Sequence, residues 1–527
     1  MTVAALTEAG PKAAPARSDV GVYLGFGAMV LGQFMAFLDI QIVASSLQQI
    51  QSGVGATADE ISWVQTAYII PEVVMIPLAA YLSRLWGTRV TFVLSCAGFT
   101  AASVLVGMST SIEMMIVARA LQGFAGGAMI PTVFAAAFTV FPPERRIAAS
   151  TVIAMIVTLA PTLGPSLGGV ITDNLDWRWL FYVNVIPGAV VMAGVWRWGD
   201  FDRGDPALAK GFDWWGLLTM ALFLMSMQYV FEEGPGERWF DSETIVYLTV
   251  LAACAGAAFA WRTATYHNPI IDFRIFRNRN FIVGATFTFV MGVNLFGVSF
   301  LLPLFLGRVG GLSAGEIGLT MGVSGLAMFI AGPVCARLVR VLDLRVMIVG
   351  GMTLASVGLW DAHALTPEWG FHEFAAVQAL RSFGTMLAMV ASQQLTMATL
   401  PAPMVKNASG LLNLSRNVGG ALGLALLSSV IGEGARARMI DMSARIAAAD
   451  PQSQSMLQGL TERMEAMGVA DPAGAAYKAF AAMIERQALT VVFGDAFAVL
   501  AAITVCAGLF ALLSQPPRPG AASAEAV

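Results

Sequence analysis

Long apolar runs, separated by short polar segments, constrain this chain more than any other feature of its sequence. A run of 18 or more apolar residues is long enough for a helix that crosses a bilayer. Only 12% of the 527 residues are charged, about half the share found in soluble domains. The pattern predicts an all-α integral membrane protein with fourteen transmembrane helices, at 20–44, 61–83, 90–108, 112–134, 147–171, 179–198, 212–231, 244–262, 281–306, 316–336, 345–362, 371–399, 407–433 and 491–514.

The basic residues predict which side of the membrane the chain termini occupy. Of the 30 Lys and Arg residues, 18 fall in segments on the side of the N-terminus, whereas three fall in the short loops opposite. Basic residues favour the cytoplasmic side, and an even number of helices returns the chain to its starting side. Both termini of this multi-pass membrane protein are therefore expected in the cytoplasm. The first run exceeds a cleavable signal h-region in length and is expected to remain as a helix.

Several classes of function are disfavoured by what the sequence lacks. No Gly-x-x-x-x-Gly-Lys motif for a phosphate-binding loop occurs. The four cysteines lie in apolar runs without a Cys-x-x-Cys pair, and the three histidines form no metal-binding motif. The net charge of −4 argues against a nucleic-acid partner. We expect no enzyme activity, cofactor or metal site, so an ion gradient or a downhill solute must drive any uphill work.

Ionisable residues inside predicted transmembrane helices are costly and are therefore functional candidates. Asp39 in the first helix and Arg119 in the fourth lie at similar depths below the outer helix ends, roughly 8–10 Å at 1.5 Å per residue. We expect them to pair, either as a proton-coupling site or as a static buried ion pair. Glu72 falls near the midplane of the second helix, where transporter substrates bind. Arg416 falls near the inner end of its run, where its side chain is expected to reach the interface.

Uncharged polar residues inside the apolar runs must line a cavity or hydrogen-bond between helices. The candidates for substrate binding or for a transport pathway, beside Glu72, are Gln33, Gln41, Gln122, Asn294 and Gln393. Gln394 and Asn413 are polar groups of the same kind.

The predicted fifth helix carries small residues along one face. Four of them are spaced four positions apart, namely Ala160, Gly164, Gly168 and Thr172. Such a face lets a neighbouring helix approach closely in lipid. Pro161 and Pro165 each remove a backbone donor, so a kink is expected at these positions. A close-packed, kinked helix is either a static packing element or a moving element that closes the transport path.

Three motifs of this chain resemble those of drug:proton antiporters in the major facilitator superfamily. Residues 164–169, Gly-Pro-Ser-Leu-Gly-Gly, resemble the antiporter signature of the fifth helix. Residues 38–43, Leu-Asp-Ile-Gln-Ile-Val, resemble a motif of the first helix, and residues 119–123, Arg-Ala-Leu-Gln-Gly, one of the fourth. The resemblance spans nearly the whole chain and is closest to fourteen-helix exporters of the EmrB type. Six identities between 120–150 and 379–409 agree with the internal repeat of such a fold.

The resemblance implies a major facilitator fold, with two six-helix bundles and two inserted helices. We expect a cytoplasmic tail at 1–19, a bundle at 20–200, the inserted helices at 201–265, a second bundle at 266–515 and a tail at 516–527. The arginine of the fourth helix is tied to proton coupling in this family, which implies that role for Arg119, with Asp39 as the acid. The residues expected to pack the antiporter helix are Gly164, Pro165, Gly168 and Gly169.

The resemblance also implies a function, which is proton-driven export of hydrophobic or amphipathic compounds and hence drug resistance. EmrB-type pumps lie in the bacterial inner membrane and work with a periplasmic adapter of the EmrA type and an outer-membrane channel. The resemblance therefore implies this location and these partners. The alternative within transport is a dedicated exporter of one natural product, fatty acid or siderophore. Outside transport the alternative is a membrane scaffold or receptor, which would have no use for the buried acids Asp39 and Glu72.

The chain departs from the family pattern at two places. The loop after the second helix usually carries an acid where this chain has Arg84, which puts the usual acid-based latch between cytoplasmic helix ends in doubt. Gln41 stands in the first-helix motif where threonine is usual, a change that bears on the outer vestibule and the substrate range.

The longest predicted outer segment runs from about 434 to 490. It has apolar residues at helical spacing, namely Met456, Leu457, Leu460, Met464 and Met467. The spacing predicts an amphipathic, partly helical excursion. This segment either lies on its own protein or the lipid surface, or it forms a docking surface for a partner.

Overall fold

The computed structural model describes residues 19–57, 60–401, 404–447 and 451–515, so the two predicted tails fall almost wholly outside the described residues. Within these ranges the regular structure is helical. The α-helices are α1 (Asp19–Ser45), α2 (Leu47–Val54), α3 (Trp63–Trp86), α4 (Thr88–Gly107), α5 (Ile112–Gly126), α6 (Met129–Thr139), α7 (Pro143–Asn174), α8 (Trp179–Tyr182), α9 (Val185–Trp198), α10 (Trp214–Glu233), α11 (Glu243–Thr265), α12 (Arg279–Arg308), α13 (Ala314–Leu338), α14 (Leu344–Asp361), α15 (Phe371–Met397), α16 (Val405–Ala447), α17 (Pro451–Ala466) and α18 (Pro472–Phe510).

Thirteen helical segments of the described residues are long and apolar enough to cross a membrane. The pairs α5–α6 and α8–α9 each form one of these segments. The remaining predicted run, 147–171, forms α7, which has 32 residues and is therefore about 48 Å long. That length exceeds the hydrocarbon core of about 30 Å. In the chain, α7 connects the fourth and sixth predicted helices, and it packs against α1 and α13.

The helices before residue 200 form one packed group, here called the N-terminal group. Within it α1 contacts α7 and α9, α3 contacts α5, and α4 contacts α5 and α9. Lipid tails are as apolar as leucine, so close van der Waals contact rather than water exclusion holds such helices together. Aromatic side chains including Phe92 and Phe99 fill the group and are fully buried.

The helices from α12 onward form the C-terminal group. In it α12 contacts α16, and α14 contacts α15 and α18. The α14–α15 contact is backbone to backbone, because a methyl group added at Gly384 would lie 2.3 Å from the Gly351 carbonyl oxygen. Phe305 packs edge-on against Phe374 and Phe493 at centroid distances of 5.6 and 5.5 Å. The larger side chains thus fill the spaces that the small residues leave.

Helices α10 and α11 form a hairpin between the two groups in sequence, here called the inserted hairpin. Asp213 caps α10 by accepting a hydrogen bond from the Gly216 backbone N–H at 3.0 Å. The same carboxylate pairs with Arg262 near the end of α11 at 2.8 Å. At the other end the Trp239 indole donates to the Ser429 hydroxyl on α16 at 2.8 Å. Side-chain bonds thus fix both ends of the hairpin.

The predicted bounds of the last two transmembrane helices were wrong on the outer side. Helix α16 continues to Ala447 instead of ending at 433, and α18 begins at Pro472 instead of 491. The extra residues are rich in Ala and include four Arg, and both residue types favour helix. Of the predicted stripe, Leu457, Leu460 and Met464 are half-buried on α17, which packs on α18. Residues 448–450 of this segment lie outside the described residues.

Candidate functional site

Asp39 lies at the centre of a buried polar cluster in the N-terminal group. Its carboxylate is 1% exposed and accepts hydrogen bonds from three side chains. The Arg119 Nη1 donates to Oδ2 at 2.7 Å. The Gln122 and Asn184 side-chain amides donate to Oδ1 at 3.0 and 2.8 Å. The structure therefore brings the predicted pair together, with α1, α5 and the residue before α9 each contributing to what we call the Asp39 cluster.

Arg119 is held on every side by groups of the N-terminal group. Its Nε donates to the Val64 carbonyl of α3 at 2.9 Å, and Nη1 donates to the Gln122 Oε1 at 2.7 Å. The guanidinium also lies over the Tyr68 ring, 4.4 Å from its centroid. A cation over a desolvated aromatic face gains about 2 kcal/mol. The arginine therefore keeps several partners even when its distance to Asp39 changes.

Glu72 lies on α3, one helical turn beyond Tyr68, and is 3% exposed. No hydrogen bond or ion pair joins its carboxylate to another of the described residues. The positive charges whose fields reach it belong to Arg416 and Arg119. Arg416 is on α16 and Arg119 is on α5, so Glu72 interacts electrostatically with one arginine from each of the two groups.

Arg416 was predicted to reach the interface, and that prediction was wrong, because the side chain is 5% exposed. It donates to the Asn413 Oδ1 at 2.8 Å. Its guanidinium carbon lies 5.5 Å from the Phe37 ring centroid and 5.8 Å from that of Phe134. Since both phenylalanines belong to the N-terminal group, Arg416 crosses the boundary between the groups.

A cavity of about 50 Å³ lies at this boundary and is here called the central cavity. Its walls come from both groups and are Phe134, Phe138, Phe287, Thr288, Met291, Leu295, Met328, Thr385, Met389, Ser392, Gln393, Met397, Ser409, Leu412, Asn413 and Arg416. Arg416 is the charged residue of this lining. Flexible methionines adapt to ligands of different shape, and a mostly apolar wall with a few polar groups is typical of small-molecule sites.

The predicted polar candidates divide among several places in the structure. Gln393 lines the central cavity, and its buried Oε1 has no hydrogen-bond partner among the described residues. Gln33 is fully buried, and within the described part of the chain neither atom of its amide has a partner. Asn294 instead joins α12 to α18 by donating to the Thr504 hydroxyl at 2.6 Å, away from the cavity lining. Gln122 belongs to the Asp39 cluster.

The two groups meet through polar bonds at the end where α4 and α16 begin. Lys406 forms an ion pair with Asp202 and donates to the Ser83 carbonyl at 2.8 Å. Asp202 also accepts hydrogen bonds from the backbone N–H and the hydroxyl of Thr88, at 2.8 and 3.0 Å. Arg84 stands where the family pattern has an acid, and Asp202 supplies an acid at the same helix end from a different segment.

Further contacts between the groups lie in the same half of the molecule. The Ser409 hydroxyl donates to the Pro131 carbonyl at 2.7 Å, and the Gln394 amide donates to the Ser150 hydroxyl at 3.3 Å. A buried cluster shared by α7, α13 and α15 includes Ala154, which is in the first half of α7. This half, which the charge distribution predicts to be cytoplasmic, is therefore closed.

The model of the Major Facilitator Superfamily matches residues 29–424. The chain belongs to this superfamily. The colistin resistance protein EmrB of Acinetobacter baumannii is 39% identical over 404 residues, which are 77% of this chain and 79% of that protein. The multidrug export protein EmrB of Escherichia coli K12 is 27% identical over 493 residues, 93% of this chain and 94% of that protein.

Solved structures of the superfamily share the fold. The proton:xylose symporter XylE bound to 6-bromo-6-deoxy-D-glucose aligns with a TM-score of 0.58 and 12% identity. The alignment covers 93% of this chain and 95% of that one. The protein is therefore a multi-pass membrane transporter with the all-α major facilitator fold, and its family and relatives are transporters rather than enzymes.

The antiporter-like stretch of this superfamily member is a place of close helix contact. A methyl group added at Gly164 would lie 2.3 Å from the Gln41 Cβ, so α7 approaches α1 directly. Gly168 is buried, whereas Gly169 faces open space, with no atom within 4 Å of an added methyl group. The Pro165 side chain lies outside the description. Helix α7 is continuous through both prolines, and a kink at them stays a prediction.

Sequence reasoning missed three members of the site. Asn184 lies at the junction of α8 and α9 and was not among the predicted candidates. Ser103 accepts from the Gln122 amide at 2.8 Å, and Tyr68 stacks on Arg119. The signal that could have found Asn184 is its amide inside an apolar run. A serine or tyrosine in such a run is too common to carry a comparable signal.

Proposed function

We propose that this chain is a proton-driven exporter of hydrophobic and amphipathic compounds, drugs included, from the bacterial cytoplasm. The observation that carries the proposal is the buried Asp39 carboxylate with its three side-chain donors. Ionisable groups at such depth are costly, and in transporters they mark ion pathways. The relatives named for colistin resistance and multidrug export support the drug substrates, as does the apolar, methionine-rich central cavity.

The geometry suits a reversible proton site. Burial favours the neutral carboxyl, whereas a cation within about 4–6 Å and hydrogen-bond donors favour the carboxylate. Asp39 and Arg119 are on different helices, so a small shift of α1 against α5 changes the balance. In the proposed cycle Asp39 binds a proton from outside, and its return of that proton to the cytoplasm accompanies export of the compound.

The closed cytoplasmic half indicates which step of the cycle the structure represents. The Lys406–Asp202 pair and the Ser409–Pro131 bond hold the two groups together at that end. A major facilitator protein closed on one side opens on the other by rocking of its bundles. We therefore infer that the central cavity communicates with the outer side here and that breaking these bonds opens it to the cytoplasm.

The outer helices support assembly with partners. Helix α16 has 43 residues and α18 has 39, which makes them about 65 and 58 Å long. Both exceed the hydrocarbon core of about 30 Å, so they project beyond the membrane together with α17. We propose that this projection binds a periplasmic adapter of the EmrA type, and that the adapter connects the pump to an outer-membrane channel.

The test of the proposed function is proton flux. Purified protein is reconstituted with a pH-sensitive dye inside the vesicles, and dyes, detergents and fatty acids are added as substrates. Export coupled to protons predicts substrate-induced proton movement that Asp39→Asn abolishes. A dedicated exporter of one amphipathic acid, favoured by Arg416 in the cavity wall, would respond to fatty acids alone.

The orientation has its own test, in a variant lacking the four native cysteines. A cysteine at Met467, which is 66% exposed, should react with an impermeant reagent in cells whose outer membrane is permeabilised. A cysteine at Arg277 should react only after the inner membrane is opened. The reverse labelling pattern would overturn both the orientation and the outer docking surface.

A further inference from the structure

Two adjoining cavities lie along the inserted hairpin and the segment that follows it, apart from the central cavity. The larger, of about 560 Å³, is an apolar crevice between α10, α11, α12 and α16, and we call it the lateral crevice. Its walls include Phe223, Met227, Gly256, Ala257, Phe289 and Leu414. The smaller cavity, of about 460 Å³, is polar and lined by His267, Asp272, Arg274 and Arg277. Phe273 lines both, so the two cavities are direct neighbours.

The segment between α11 and α12 contains a short 3-10 helix, Phe273–Arg277, with two chemically different sides. Phe276 lines the lateral crevice, Arg274 and Arg277 line the polar cavity, and Phe273 lies between the two. Aromatic groups on one side and guanidinium groups on the other suit a segment at the boundary between hydrocarbon and lipid headgroups.

Exposed tryptophans mark the same level on the neighbouring helices. Trp214 and Trp215 begin α10 and are 72% and 67% exposed, and Trp261 in the last turn of α11 is 67% exposed. Tryptophan is enriched where a membrane protein meets the headgroup region. The polar cavity therefore lies at headgroup depth, and the lateral crevice extends from it into the hydrocarbon.

The polar cavity carries one positive charge that is not balanced. Arg274 donates to Asp272 through Nη2 at 2.8 Å and through Nε at 2.9 Å. These bonds lower the pKa of the Asp272 carboxyl, which therefore stays ionised and neutralises Arg274. Arg277 is exposed and forms no ion pair or side-chain hydrogen bond with the described residues. A ligand with one negative charge at headgroup depth complements this arrangement.

We propose that the lateral crevice and the polar cavity together bind one anionic phospholipid. An acyl chain would lie between α11 and the α12–α16 pair, and the phosphate would accept hydrogen bonds from Arg277. A phospholipid fits because it combines an apolar chain with a single phosphate charge and is present in the bilayer at this depth. The bound lipid would hold the inserted hairpin against the C-terminal group. By the predicted orientation it comes from the cytoplasmic leaflet.

The test measures lipid retention by native mass spectrometry of the purified full chain. Phosphatidylglycerol and phosphatidylcholine with the same acyl chains are added in separate titrations. We expect tighter binding of phosphatidylglycerol, a loss of about tenfold in its affinity for Arg277→Ala, and recovery in Arg277→Lys. Arg340→Ala is the matched control, because Arg340 is also exposed at another helix end on the predicted cytoplasmic side.

A second pair of variants tests the acyl-chain part of the site. Ala257→Phe places a ring in the lateral crevice and should weaken both lipids, whereas Val250→Phe on the lipid-facing side of α11 should weaken neither. Equal binding of the two lipids, or wild-type binding by both Arg277→Ala and Ala257→Phe, would overturn the proposal. Binding of a transported amphipathic acid there, with neither phospholipid binding, would overturn it as well by making the crevice a substrate site.

Discussion

Asp39→Asn removes the charge of the buried acid while keeping nearly the same shape. In the structure the Arg119 guanidinium is 1% exposed and donates to Asp39 at 2.7 Å. The substitution leaves that cation with the Val64 carbonyl, the Gln122 amide oxygen and the Tyr68 ring as its partners. Breaking a buried pair by neutralising one partner costs about 3–5 kcal/mol. Lower thermal stability is therefore expected together with loss of coupling.

The assay must separate coupling from binding and from folding. Proteoliposomes with an imposed pH gradient report uphill export, and exchange of labelled for unlabelled substrate without a gradient reports binding and conformational change. We expect Asp39→Asn to lose uphill export for every substrate while keeping substrate exchange. Arg119→Ala should impair coupling more than binding, and Arg119→Lys should be milder because it keeps the positive charge.

The control for stability is the double variant Asp39→Asn with Arg119→Gln, which leaves no unpaired charge in the cluster. Replacing both members of a buried pair is often close to neutral for stability, so this variant should regain stability without regaining coupling. Asp495→Asn is a second control, since Asp495 also pairs with an arginine but is 44% exposed. Substrate-induced proton movement at the wild-type rate in Asp39→Asn would refute the reasoning and move the role to Glu72.

Three further predictions concern the contact between α7 and α1, the acid Glu72, and the Lys406–Asp202 ion pair. Gly164→Leu puts a side chain into the contact with α1, so transport should fall even where expression survives, since overpacking costs about 1–3 kcal/mol; Gly169→Leu should be tolerated, and normal export by both variants would exclude a helix seam. Glu72→Gln should change the preference between cationic and neutral compounds in transport assays and leave coupling intact for neutral ones; equal loss for all substrates would instead place it in the proton path. Lys406→Ala and Asp202→Asn should each open the cytoplasmic half, measured as faster labelling of a cysteine in the central cavity from that side; unchanged labelling would show that the pair does not close it.

The depth of a residue along a helix could be predicted from the sequence, whereas its direction around the helix could not. Counting at 1.5 Å per residue from the helix ends placed Asp39 and Arg119 at one level, and the structure brings them together. Asn184 and Ser103 join them only because α4 and the start of α9 are rotated toward α1. Hydropathy is nearly uniform around such helices and carries no information on that rotation.

The other errors have separate causes. Arg416 follows the predicted start of its apolar run, residue 407, by nine residues, and lysine or arginine near such an end usually reaches water. Helix α16 begins at Val405, which places Arg416 about 16 Å along it, and the facing Phe37 and Phe134 cover the guanidinium. The start of α18 was missed because Lys478 and the polar residues 485–487 interrupt an alanine-rich stretch. Alanine favours helix, but the interrupted stretch is not a continuous apolar run.

Helix α3 provides the physical connection between the Asp39 cluster and the central cavity. Its Val64 carbonyl and Tyr68 ring both contact Arg119, and Glu72 follows at the same spacing of four residues. Three positions four apart lie on one helical face, over about 12 Å of helix length. Glu72 in turn lies in the field of Arg416, which lines the cavity. A movement of Arg119 away from Asp39 therefore acts on α3. Through Glu72 on the same helix it also changes the electrostatic environment of Arg416, the charged residue of the described cavity wall. In the proposed mechanism, a substrate that alters the position of Arg416 acts on the Asp39 cluster by the same route in reverse, and coupled transport requires this reciprocity.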